Sequence, residues 1–200
     1  MARIETMERL RELIPAPSPT ASAKILDHID EQAHQFVRQS PFLIMTTMGG
    51  AGLEASPKGD VEGFVEILDD RTLLIPERNG NQLAMGLSNI LRNGQIALLF
   101  FRPRTNETFR ICGRASLLDD PDICERLAAR GKPAVLAIRV EIERAFFHCG
   151  RAVLRSGLWD PDSWAEPWRV SIPRVIANAM GRPDMVDTIE RISAERDNDL

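Results

Sequence analysis

Between Phe42 and Ile75 the chain changes character every few residues. Four runs have the apolar, β-branched or alternating composition of strands: Phe42–Met48, Leu53–Lys58, Phe64–Leu68 and Thr72–Ile75. The breaks between them, at Gly49–Gly52, Gly59-Asp60 and Asp69-Asp70, are tight turns. A parallel pairing needs a crossover of a dozen or more residues, usually a helix, and no break has room for one. The four runs are therefore expected to form an antiparallel meander rather than βαβ units. That constraint removes the doubly wound and barrel α/β folds at the outset.

The strand pattern resumes downstream. Gln95–Phe101 is almost wholly apolar and reads as a central strand buried on both faces. A polar hairpin loop, Arg102–Asn106, leads to Thr108–Leu118. There Phe109, Ile111, Gly113, Ala115 and Leu117 share one face, and Arg110, Cys112 and Arg114 the other. Gly113 in mid-strand marks a bulge or a close ligand approach. Ala134–Cys149 is a further long β reading. Six or seven strands with flanking helices fit a small closed or partly open antiparallel barrel.

Helical spacing appears at Ile4, Met7, Leu10 and Ile14, and Pro15, Pro17 and Pro19 follow as a stiff linker. Residues 1–19 are thus expected to be an N-terminal helix and linker, and 20–200 one domain ending in a helical segment. Ser18-Pro19 opens an expected helix over 20–38, with Ile25, Ile29, Ala33 and Phe36 as its buried stripe. Asp120-Pro121 opens another, to about Ala129. A turn of helix is expected over Gly150–Ser156, and short helices over 172–180 and 184–195. The last five residues are expected to fray.

With 44% hydrophobic residues the chain can bury a core, and a net charge of −4 argues against a general nucleic-acid binder. No apolar stretch approaches the roughly 20 residues that cross a membrane, and no signal-type segment opens the chain, so a cytoplasmic protein without a membrane partner is expected. Cys112, Cys124 and Cys149 are odd in number and lack a C-x-x-C. Reduced, mostly buried thiols are expected, with neither disulfide nor metal.

One stretch carries chemistry. In Leu73–Gln82 an apolar run ends at Pro76, a turn containing Arg78, Asn79, Gly80 and Asn81 follows, and a helix to Asn93 begins, with Leu83, Leu87, Ile90 and Leu91 on one side. Free backbone N–H groups, the positive end of a helix and a guanidinium make an anion pocket. Arg78 could grip a phosphate bidentately and Lys58 could serve as a point charge. Gly80 would let the backbone approach, and Asn81 would open the helix. On spacing alone, Arg78 and Lys58 could equally be ordinary surface cations.

Five motifs come in order: Leu53-x-Ala55-Ser56-Pro57-Lys58-Gly59-Asp60; Thr72-Leu73-Leu74-Ile75-Pro76-x-Arg78-x-Gly80-Asn81; Asn89-Ile90-x-x-Asn93; Asn106-Glu107-Thr108-x-Arg110-x-x-Gly113-Arg114; and His148-Cys149-x-x-Ala152-x-x-Arg155-Ser156-x-Leu158-Trp159. Together, over about residues 30 to 180, they resemble the pyridoxamine 5'-phosphate oxidase-like family of FMN-binding split-barrel proteins. The resemblance implies a six-stranded antiparallel split β-barrel with flanking helices. It also implies a homodimer with FMN at the interface, each site lined by both chains. It places Ser56, Lys58, Arg78, Gly80 and Asn81 at the flavin phosphate and ribityl chain, with Asn89 nearby. Arg155, Ser156 and Trp159 resemble the segment that closes over the flavin. Backbone groups of Ser56–Lys58 and of residues 73–76, Pro76 included, could meet the pyrimidine edge. Arg110, Arg114 or Arg155 could supply positive charge there; for Arg110 and Arg114 a solvated strand face is the alternative, and for Trp159 simple loop packing.

The resemblance stops short of true pyridoxamine phosphate oxidases. Their C-terminal tryptophan is followed by an Arg-x-His group that grips the substrate phosphate, and here no His follows Arg155. The expected activity is therefore an FMN-dependent oxidoreductase acting on an unidentified small substrate or reductant, with no catalytic side chain assigned. The alternative is a flavin carrier or sensor without a substrate of its own. A haem-binding barrel would have only three histidines to draw on. His148 and Cys149 are strand neighbours that point to opposite faces, which argues against a nucleophile pair.

Overall fold

The structure, a computed structural model, describes residues 3–50 and 52–197. Seven strands form one antiparallel sheet: β1 (Phe42–Gly49), β2 (Gly52–Gly59), β3 (Glu66–Asp69), β4 (Thr72–Glu77), β5 (Gln95–Phe101), β6 (Thr108–Leu118) and β7 (Leu136–His148). Their order across the sheet is β2-β1-β5-β6-β7-β4-β3. Seven strands lie within the six or seven counted from the sequence, one more than the resemblance implies, and the sheet is open: no ladder joins β2 to β3 or β4 among the described residues.

The expected meander is two separate hairpins. β1 pairs with β2 and β3 pairs with β4, but the pairs sit at opposite ends of the sheet, with β5, β6 and β7 between them. The segment from Asp60 to Val65 holds no helix and crosses to the far edge, because the sheet curls and brings its ends together. Ala51, in the β1–β2 turn, lies outside the described residues.

Burial alternates along β1, β5 and the first half of β6 as the pleat requires, whereas β4 is buried on both faces. Leu43 and Met45 of β1, Ile96, Leu98 and Phe100 of β5, and Phe109 and Ile111 of β6 face inward, with Leu73 and Ile75 of β4 and Ile138 and Val140 of β7. Helix α3 (Glu31–Arg38) adds Ala33, Phe36 and Val37, and Phe36 lies edge-on to Phe147 at 5.3 Å. β5 is buried on this face only; Ala97, Leu99 and Phe101 stay half-exposed, which corrects the expectation of a doubly buried strand. A smaller cluster of Leu74, Cys124, Leu127, Ala134 and Ala137 lies under α5 (Pro121–Arg126).

Local start signals read from the sequence are present. Ser18 and Asp120 cap their helices and Pro19 and Pro121 occupy the first helical positions. The helix expected over 20–38 is two: α2 (Pro19–Ala23) stops early, Leu26 bridges to Ala145 of β7, and Asp30 caps α3 afresh. Tertiary pairing thus overrides helical spacing, and Ile25 is exposed rather than buried. α1 (Met7–Leu13) buries no residue. α5 ends at Arg126, short of Ala129. After α6 (Arg151–Ser156), α7 (Ile172–Ala179) and α8 (Val186–Asp197) pack on each other. Of the expected frayed end, residues 198–200 lie outside the described residues. Among the described residues no helix is long and apolar enough to cross a membrane. Of the thiols only Cys124 is buried; Cys112 is half-buried and Cys149 exposed, against the expectation that most would be inside.

Gly113 is a bulge. The β6–β7 register shifts between Cys112 and Gly113, and a Cβ there would sit 1.9 Å from the Glu141 carbonyl oxygen. Because that neighbour is backbone, Gly113→Ala is expected to destabilise the fold by about 3 kcal/mol. Urea denaturation checks this, and an unchanged midpoint would contradict the close approach.

Candidate functional site

The curled sheet leaves a gap between the end of β2 and the end of β4, and side chains bridge it. Residues 54, 56 and 58 of β2 alternate toward the inner face. β3 pairs with β4 only at residues 72–74, so the stretch carrying Pro76, Glu77 and Arg78 is an edge on that side, where a proline is tolerated. Lys58 Nζ donates to Glu77 Oε2, with the two side chains 10% and 6% exposed. Asn81 Nδ2 donates to Glu77 Oε1 at 3.2 Å. Arg78 Nε donates to Asp60 Oδ2 at 2.9 Å, and Asp60 is buried to 8% exposure.

Around these pairs lies a cleft of about 380 Å³, within the usual ~300–1,000 Å³ of small-molecule sites. Its walls include Ser56, Lys58, Phe64, Pro76, Arg78, Gly80 and Asn81, with Glu54 beside them. Gly80 has φ +112, a conformation that disfavours any L side chain, and its α-carbon faces open space. Six residues picked from sequence therefore converge on one cleft. Two that matter most to its charge were not picked out as partners: Glu77, an unassigned position within the second motif, and Asp60. Asp60 closes the first motif, and nothing in the sequence pairs either carboxylate with the cation that the fold brings beside it.

The donors do not all stand free. Lys58 and Arg78 face Glu77 and Asp60, so the four charges cancel, and what remains is geometry. Arg78 Nη1 is buried and has no hydrogen-bond partner. A buried unmet donor costs free energy that an anionic oxygen would recover. A phosphate fits this donor set through Arg78, the Ser56 hydroxyl and the backbone of the Gly80 turn, with Lys58 already committed to a carboxylate.

The helix after the turn starts later than expected. α4 (Met85–Asn93) follows Ala84, which sits at φ +47 with no side-chain cap, and Asn81 Oδ1 accepts from Ala84 N at 3.2 Å instead of capping the helix. Leu83 and Leu91, expected on its buried side, are 82% and 74% exposed; Leu87 and Ile90 are buried. Gly86 lets the helix close on the sheet, since a Cβ there would lie 3.3 Å from Met45 Cε and 3.5 Å from Ser56 Oγ. Asn89 is wholly buried and donates to the Gly52 carbonyl at 2.9 Å and to Thr47 Oγ1 at 3.4 Å, so it pins α4 to the β1–β2 hairpin rather than lining the cleft.

The remaining candidates lie elsewhere in the chain. Arg110 is on the outer face of β6, its guanidinium 5.7 Å from the Phe146 ring centroid. Arg155 is exposed on α6. Ser156 Oγ donates to the Val153 carbonyl at 2.9 Å, and Trp159 Nε1 donates to the Thr105 carbonyl at 2.9 Å. Arg114 donates to the Asn93 carbonyl. His148, beside Phe146, has a buried Nε2 without a partner; burial first, then Arg110 and Lys24, hold its imidazole below the usual value. Among the described residues no three His, Cys, Asp or Glu side chains group as metal ligands.

A family model described as pyridoxamine 5'-phosphate oxidase matches residues 29–149. Several solved structures match part of the chain at low identity. HupZ of Group A Streptococcus is 19% identical, with 60% of this chain and 93% of that chain covered and a TM-score of 0.49. A pyridoxamine 5'-phosphate oxidase, so described as putative, from Lactobacillus delbrueckii is 21% identical over 60% and 95%, at 0.47. An FMN-binding protein from Syntrophomonas wolfei is 12% identical over 57% and 85%, at 0.44. A search of curated proteins finds no match.

Removing one partner of the buried pair leaves the other charge stranded. Glu77→Gln is expected to destabilise the fold by about 3 kcal/mol. The double variant Lys58→Met/Glu77→Leu is expected to recover most of that loss in the same denaturation experiment. Equal losses in both would show that the pair does not act as a pair.

Proposed function

The chain belongs to the pyridoxamine 5'-phosphate oxidase family, and from that premise we propose that it is an FMN-dependent oxidoreductase whose cleft between β2 and β4 holds the flavin phosphate. The single observation that carries the reading is the buried, partnerless Arg78 Nη1 in a cleft walled by Ser56 and the Gly80 turn. In this reading Arg78 fixes the phosphate, Ser56 and Asn81 orient the ribityl chain, and Glu77 holds Lys58 and Asn81 in register. When bound, FMN supplies hydride exchange at N5, so the chain needs to bind, orient and exclude water rather than furnish an acid or base.

We assign the outer face of the sheet to a second copy. The residues aligned across it, Pro57, Ile44, Leu99, Arg110 and Phe146, are half-exposed or exposed and four of the five are apolar. Phe42 and Phe101, 6.0 Å apart, extend the patch. An apolar sheet face of this kind favours a partner. Arg110, Arg155, Ser156 and Trp159 do not line the cleft of their own chain. They serve a flavin only in a homodimer, which matches the two-chain site that the family resemblance implies. A flavin carrier or sensor without a substrate of its own is the alternative reading. Turnover with NAD(P)H and a second acceptor separates the two.

Arg78→Ala removes a charged hydrogen bond of about 1.5–3 kcal/mol, so FMN affinity is expected to fall roughly tenfold or more with the circular dichroism spectrum retained. Flavin absorbance of the purified proteins, followed by FMN titration, reads this out. Leu99→Asp is expected to yield a monomer by light scattering; a stable dimer would move the interface elsewhere.

A further inference from the structure

Two buried side-chain atoms lack a hydrogen-bond partner among the described residues: Arg78 Nη1 in the cleft, and His148 Nε2 at the opposite end of β7. His148 follows Phe146 on the outer face of β7, with the two rings 5.0 Å apart. Arg110 stands opposite Phe146 on β6, its guanidinium 5.7 Å from that ring, and Lys24, which ends α2, brings its Nζ to 5.9 Å. Lys24 reaches the strand because Leu26, two residues on, bridges to Ala145. Neither cation has a carboxylate partner among the described residues. The acidic groups on the surrounding elements do not offset them. Asp27 is matched by Arg71 and contacts His28. Glu107 lines a different groove, with Phe36 and Phe147. Glu143, left without a partner residue at the β6–β7 bulge, adjoins the exposed Arg144. With both of these counted, three cations stand against one carboxylate. Burial, and then Arg110 and Lys24, keep the His148 imidazole neutral at pH 7, so it offers a hydrogen bond rather than a further charge.

A cationic cluster built around one aromatic ring, with a buried nitrogen unmet, is short of an anion. In the proposed homodimer the outer face meets the second copy, and Arg110 serves that copy's flavin. We propose that it does so by holding the substrate: Lys24, Arg110 and His148 form a subsite for the carboxylate of a small organic acid whose carbon chain rests on Phe146. The inference rests on the reading of the protein as a dimeric flavin enzyme. A planar carboxylate suits a planar guanidinium, which can donate two parallel hydrogen bonds, while the ammonium acts as a point charge. Lys24 is exposed on a flexible stem, so it can yield as the acid enters. The bound anion then gives His148 Nε2 the partner it lacks.

The test is NMR of the imidazole rings in the full-length protein, with benzoate as the probe and benzamide as its neutral counterpart. The chain has three histidines, and His148→Gln assigns the signal that matters. Benzoate is expected to shift the His148 ring signals and to raise the pKa of that ring, since a bound anion favours the imidazolium. Benzamide is expected to do neither. Arg110→Gln is expected to weaken benzoate binding about tenfold or more, and Lys24→Gln, a change at an exposed position, to weaken it less. A His148 signal indifferent to benzoate, an equal response to benzamide, or inorganic phosphate bound as tightly as benzoate would overturn the carboxylate subsite and spare the flavin cleft, which FMN titration of the same sample reads separately. Benzoate binding by a protein that takes up no FMN would overturn the flavin reading and, with it, the substrate role.

Discussion

The Lys58–Glu77 pair, with Arg78–Asp60 beside it, is the constraint on which the rest of the structure depends. Backbone ladders hold six of the seven strand junctions that a closed ring would need, and among the described residues none joins β2 to β3 or β4. Hydrogen-bonded charges make that crossing instead. Such a closure suits a binding site better than a ladder would. A ladder would fill the gap with backbone, whereas side chains leave a cleft whose walls are two strand ends and a glycine turn. The inward-facing residues of β2, the edge position of Pro76 and the close seating of α4 through Gly86 all act to place those side chains.

The same pairing sets the character of the cleft. Its two cations are matched by two buried carboxylates, and Glu54 lines it as well, so an anion entering it meets fixed donors and no net positive field. Selectivity then follows from geometry: a guanidinium with one unmet nitrogen, a hydroxyl, and a turn whose backbone conformation is reserved for glycine. Buried pairs of this kind give little net stability relative to an apolar replacement, yet losing one member is costly. Glu77 therefore has a structural and a functional role at once, since it closes the sheet and holds Asn81 and Lys58 in place.

Much of this was legible in the sequence, and the boundary is physical. Turn residues, strand alternation, the helix starts at Ser18 and Asp120 and the bulge at Gly113 are local, and local chemistry announces them. The cleft residues Ser56, Lys58, Arg78, Gly80 and Asn81 were found through ordered motifs. The separation of the two hairpins to opposite edges was not legible, because short turns specify which strands pair within a hairpin and not where hairpins settle. The break between α2 and α3 was hidden by an apolar spacing that fits a helix, while Leu26 is claimed by a bridge to Ala145. Glu77 is an unassigned position of the second motif; only the curl of the sheet brings Lys58 to it. Asn89 carried a motif position, yet its buried amide serves the β1–β2 hairpin.

The central claim is that the cleft between β2 and β4 recognises a flavin through its phosphate. Riboflavin and FMN share the ring and ribityl chain and differ only in that group, so their relative affinity isolates it. Titration of the full-length apoprotein with each, by fluorescence quenching, is expected to show FMN bound at least about a hundredfold more tightly, as two charged hydrogen bonds would give. Equal affinities for the two flavins would contradict the account and leave the Arg78 cleft without its ligand.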